Sequence, residues 1–103
     1  MRILHTIVDK IKFSTFTYAM DFTEYNLGFC NKGEVAQVTL SGAANVILLD
    51  TTNLHKYKNS MKFEYHGGHT NISPYRITIP ESGTWYVVID GYSGTITSSV
   101  SVA

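Results

Sequence analysis

Apolar residues along this chain recur with a period of two, or gather in short runs closed by turn residues, and that patterning constrains the fold more than any other feature. Ala44 to Asp50 is a nearly continuous apolar run, which predicts a strand covered on both faces. Thr84 to Asp90 places Trp85, Val87 and Ile89 on one face and Tyr86 and Val88 on the other, so it reads as a second interior strand. Ile96, Val100 and Val102 share one face of a half-buried terminal strand. Further strands are expected over 11–18, 34–40, 61–65 and 75–80, the last bracketed by Pro74 and Pro80 where a missing N–H does least harm. Asn31-Lys32-Gly33, Ser41-Gly42, His66-Gly67-Gly68-His69, Glu81-Ser82-Gly83 and Gly91 to Gly94 supply the breaks, and the paired glycines imply positive φ or a close backbone approach. Only 51–60 is polar and rich in capping residues, which suits one helical turn or a structured loop. The class implied is all-β: a compact antiparallel β-sandwich or barrel of about 6–8 short strands.

With 103 residues the chain has enough length for one core, so 1–103 reads as a single domain. Charged residues make up 16% and hydrophobic residues 44%, a balance that excludes disorder and coiled coil. Eight Lys+Arg offset eight Asp+Glu, so the electrostatic footprint of a nucleic-acid or anionic-membrane binder is missing. The same neutrality leaves self-association unopposed. Cys30 stands alone and cannot form an intrachain disulfide, which favours the cytoplasm. Asp9, Lys10 and Lys12 leave no room for the apolar stretch of a signal peptide, and no run is long enough to span a bilayer.

Several constellations could carry chemistry. His55, His66 and His69, with Glu64, could supply metal ligands, but a His-Gly-Gly-His turn fixes no geometry, so the expectation is turn histidines and no metal. Asp50 and Asp90 each close an apolar run and could meet at one rim as an acid/base pair; an Asp that ends a strand and caps the next turn is the simpler reading. No nucleophile elbow or phosphate-cradling loop is present, and Cys30 has no histidine nearby in sequence, so neither a catalytic residue nor a cofactor is expected. Most aromatic rings belong in the core, Phe63 on a face with Met61 and Tyr65 included. Tyr57, Tyr75 and Tyr92 stand by polar turns, where rings can wall a ligand pocket.

From about Asn26 the ordered string Ala44-Asn45-Val46, Leu48-Leu49-Asp50, Asn53, Tyr57, Tyr65, Gly67-Gly68, Ser73-Pro74, Ile79-Pro80, Gly83, Trp85, Val87-Val88 and Asp90 resembles the bacterial DUF1883 family. The resemblance implies a compact β-sandwich, found alone or fused to TIR-type signalling domains, and hence a recognition or assembly role in bacterial defence or signalling. It supplies no catalytic residues. Residues 1–25 fall before it and read as an N-terminal extension with an added strand. At the shared positions Asn53, Tyr57, Tyr65, His66, Gly67 and Gly68 would gather polar and aromatic groups around exposed glycine backbone, which is what a small polar ligand needs.

The expectation is therefore a non-enzymatic recognition or self-assembly module that forms a homo-oligomer or meets a protein partner, with 51–60 and the 66–69 turn as its recognition edge. The alternative is a sensor that binds a nucleotide or sugar near Asn53, Tyr57 and Gly67.

Overall fold

Residues 2–3, 7–8 and 22–103 are described in the structure, a computed structural model, the first two pairs by backbone alone. The strand expected over 11–18 lies outside the described residues. The elements in chain order are β1 (Arg2–Ile3), β2 (Ile7–Val8), β3 (Phe22–Cys30), β4 (Val35–Leu40), β5 (Ala44–Asp50), α1 (Thr51–Lys58), β6 (His66–Thr70), β7 (Tyr75–Thr78), β8 (Gly83–Asp90) and β9 (Thr97–Val102). Strands β3, β8, β5 and β6 form one sheet in that order. The other runs β1, β9, β4, β7, with β2 also on β9, and every pairing is antiparallel.

The two sheets close face to face as a sandwich, and their inner faces follow from the period-two pattern. Val46 and Leu48 from β5, Val87 and Ile89 from β8, Val38 from β4 and Val100 and Val102 from β9 meet in one buried core. Tyr25 crosses it and donates its hydroxyl to the Ser98 carbonyl at 2.8 Å, so a buried phenol joins the sheets without an unsatisfied O–H.

Strand β5 is covered on both sides, as its nearly continuous apolar run predicts. Its other face presents Ile47 and Leu49, which pack with Val88 of β8 beneath Leu54 of the helix. That helix has more than the single turn expected for 51–60. It starts where Asp50, the last residue of β5, accepts the Asn53 N–H at 2.8 Å, and it ends where the Asn59 N–H returns to the His55 carbonyl at 3.1 Å. Asp50 thus closes a strand and caps the next element, the role its place in the sequence suggests.

Three expectations need correction. Residues 61–65 are irregular and the strand begins at His66. The segment sends its hydrogen bonds to the helix instead of a sheet: the Met61 N–H to the Lys56 carbonyl at 2.9 Å, and the Glu64 N–H to Asn53 Oδ1 at 2.8 Å. Met61 and Tyr65 are consequently exposed, while Phe63 is half-buried. The glycine pair expected to end a strand instead lies inside β6, with Gly67 opposite Ile47 and Gly68 opposite Val46. Thirdly, Phe22–Cys30 is a nine-residue strand that the apolar pattern does not announce, because a register shift between Asn26 and Gly28 breaks its alternation.

Candidate functional site

The outward face of the β3-β8-β5-β6 sheet is built from alternate residues, and two of its polar members lie side by side. Asn45 on β5 and Asp90 on β8 are direct partners in the antiparallel register. Asp90 is 8% exposed, so its carboxylate has left most of its water behind. It is met from two sides. Asn45 Nδ2 donates to Asp90 Oδ1 at 2.9 Å, and the Tyr57 hydroxyl donates to Asp90 Oδ2 at 2.5 Å. On its far side the Asn45 amide oxygen stands 3.3 Å from His69 Nδ1. His69, Asn45, Asp90 and Tyr57 are therefore joined in one chain of polar contacts.

Each member is held from its own element. The helix begins at Asp50 and runs back over the sheet, which carries Tyr57 on its last turn to the Asp90 end of β8. Tyr57 is fixed by edge-on contacts to Phe22 at 5.8 Å and Phe63 at 5.3 Å between ring centroids. Asn45 needs a glycine beside it, since a Cβ at Gly91 would collide with its amide, and Gly91 sits at φ 70°. His69 faces Asn45 across the β5-β6 pairing.

Above Asp90 and Asn45 opens a cleft of about 230 Å³. Phe63, Tyr65, Ile47, Gly68 and His69 complete its walls. Tyr65 is 51% exposed and leans on Phe63 at 5.6 Å, so one of its walls is an accessible aromatic ring. A second cavity of about 350 Å³ adjoins at His69 and is lined by Ser41, Gly42, Tyr92, Ser93 and Thr95 among others.

Burial, then the hydrogen bond to Asp90 and that carboxylate's negative charge, push the Tyr57 phenol far above the usual tyrosine range. Tyr57 holds its proton more tightly folded than unfolded, so its contribution is complete below about pH 10 and is lost as pH rises above that value. Urea denaturation between pH 9 and 11.5 is expected to show the wild type losing more stability than Tyr57→Phe. The difference between them has a slope of at most about 1.4 kcal/mol per pH unit, reduced by solvent screening on the exposed part of the ring. Parallel curves for the two proteins would mean that the phenol is not held by Asp90.

The six candidate residues of the sequence do not form one site. Tyr65 and Gly68 line the cleft, and Tyr57 reaches it through Asp90. Asn53 instead ties the helix start to the following segment, donating Nδ2 to Asp50 Oδ1 at 3.0 Å while its Oδ1 accepts from Glu64. His66 packs edge-on against Trp85 with centroids 6.0 Å apart. Gly67 is a packing requirement of β6, with no room for a side chain. Asn45 is a member that the sequence pattern does not single out. His69 enters as a neighbour of Asn45, and among the described residues no three His, Cys, Asp or Glu side chains converge as a metal set. Asp50 and Asp90 do not share a rim: Asp50 pairs with Trp85 and Asp90 with Asn45, five strand residues or about 17 Å apart.

The model of the family described as a domain of unknown function, DUF1883, matches residues 20–103. The chain belongs to the DUF1883 family. The match begins six residues ahead of the Asn26 start read from the motif, so it takes in all of β3 and leaves a shorter N-terminal extension. Asn45, Tyr57, Tyr65, His69 and Asp90 all fall within the DUF1883 region. Comparison with curated proteins and with solved structures finds no match. Among the described residues of this DUF1883 chain, no helix is long and apolar enough to cross a membrane.

Proposed function

We propose that this domain is a non-enzymatic recognition module whose ligand, a small polar molecule, enters the cleft over Asn45 and Asp90. The observation that carries the reading is the buried Asp90 carboxylate at the floor of an open cleft, oriented by Asn45 and Tyr57 and walled by the exposed ring of Tyr65. A concavity in which a few fixed polar groups converge beside aromatic walls is a common form of small-molecule site. Recognition is favoured over catalysis because an amide separates His69 from Asp90. Asn45 can orient both groups but cannot pass a proton between them, so they do not make an acid/base dyad. The lone buried thiol of Cys30 suits a reducing cytoplasm.

The test is a thermal-shift screen of the full chain against nucleotides, glycans and small polar metabolites, with light scattering on the unliganded protein alongside. A ligand at ten times its Kd adds about 1.4 kcal/mol, several degrees in Tm for a chain of this size. That shift is expected to fall to about half in Tyr65→Ala, whose ring is half in solvent, while the unliganded Tm stays near wild type. A panel without a single saturable hit would sink the cleft reading. Self-assembly, the other form of recognition, is favoured by β6, an edge strand among the described residues, next to Ile72 at 63% exposure. A mass that grows with protein concentration, and is reset by Ile72→Asp, would move the function there.

A further inference from the structure

Asp90 has a property that binding of just any polar molecule does not use. Its carboxylate is 8% exposed, yet its two hydrogen-bond partners among the described residues are neutral, an amide and a phenol. Lys58 pairs with Glu24 and Lys32 with Glu81, and among the described residues no Lys or Arg lies within ion-pair distance of Asp90. A carboxylate this far from water is costly unless a cation compensates it, and the low dielectric around it strengthens its pull on one. The rest of the cleft selects the kind of cation. Ile47 and Phe63 offer apolar contact, and Tyr65 offers the negative face of a ring. A strongly hydrated metal ion gains nothing from those rings, and a phosphate would face a like charge. A sugar could hydrogen-bond to the carboxylate but would leave the charge uncompensated.

We infer that the cleft takes an alkylammonium ligand, its ammonium on Asp90 beside Asn45 and its methylene stem along Ile47, Phe63 and Tyr65. This rests on the cleft being the binding site, and it names the ligand class for that site. The modest size of the cleft, about 230 Å³, suits a short unbranched stem.

The experiment is calorimetric titration of the full chain at pH 8 and low salt with n-butylammonium, and separately with n-butanol, glucose and AMP. Saturable binding of butylammonium is expected, with butanol at least about tenfold weaker because it lacks the charge. Asp90→Asn keeps an acceptor for Tyr57 and is expected to lose about thirtyfold or more, as removal of one member of a buried charge pair does. Tyr65→Ala, a change at a half-exposed ring, should lose about fivefold through its cation–π and stem contacts, and it decides the matter if Asp90→Asn does not fold. Equal binding of butanol and butylammonium, or affinity unchanged in both variants, overturns the inference. Binding of glucose or AMP with butylammonium silent overturns the amine assignment and leaves the recognition module standing. Silence of all four ligands, together with an empty wider screen, removes both.

Discussion

Gly67→Ala is expected to be the most damaging single-methyl addition in the chain, costing about 3 kcal/mol in urea denaturation. Gly67 lies within β6 at φ 107°, where a residue with a Cβ is strained by about 1–3 kcal/mol. A Cβ built there collides with the carbonyl oxygen of Val46 and approaches Ile77 Cδ1 at 3.1 Å. Neither contact relaxes easily, because Val46 is backbone of the central strand and Ile77 is buried in the core. Lifting β6 away from β5 would relieve both, and it would also take Gly68 and His69 out of the cleft wall. The variant should therefore lose ligand affinity as well as stability. Gly42→Ala is the control: its Cβ meets nothing within 4 Å, so a change within about 0.5 kcal/mol is expected. Equal, small effects at the two positions would show that β6 does not approach β5 as described.

Leu48→Ala has an expected cost of the same size for a different reason. Leu48 is fully buried on the inner face of β5, between the two sheets, with strand neighbours on both sides. Removing its isobutyl group leaves a cavity that a sandwich closed by two sheets cannot collapse into, and the loss should be about 3–4 kcal/mol. Against a total of about 5–15 kcal/mol for a domain of this size, that is enough to shift the urea midpoint strongly at unchanged slope. A loss below about 1 kcal/mol would mean that the inner faces are not packed together at this point. Phe29→Ser, at a ring 61% exposed, should change little by comparison, which separates interior from surface on strands of one sheet.

The candidate site is only partly legible in the sequence because its members owe their meeting to pairing register. Asn45 and Asp90 are 45 residues apart in the chain and become neighbours only when β5 pairs with β8. Tyr57 stands out as a ring in a polar segment, but the helix length that brings its hydroxyl to Asp90 depends on a cap at Asp50 and on closure at Asn59. Tyr65 and Gly68 reach the cleft by a route the pattern misdescribes. The strict alternation over 61–65 imitates a strand, yet the backbone there is claimed by Lys56 and Asn53. Alternation records which side chains could share a face; it does not record which hydrogen-bond partners are available.

Residue order alone was enough for the all-β class, the turns at 31–33 and 81–83, the two-sided burial of β5 and the inner faces of β8 and β9. Those follow from side-chain period and turn chemistry, which are local, and a strand whose apolar residues run almost without a break has to be covered twice. Motif order carried the family as well. Three features came only with the packed chain: that 22–30 is a strand despite its bulge, that β6 needs a bare backbone at Gly67, and that an aspartate at the end of one strand is enclosed by an asparagine and a tyrosine from elsewhere. Register, bulges and close approaches are properties of pairs of segments, and local preference within either segment does not specify them.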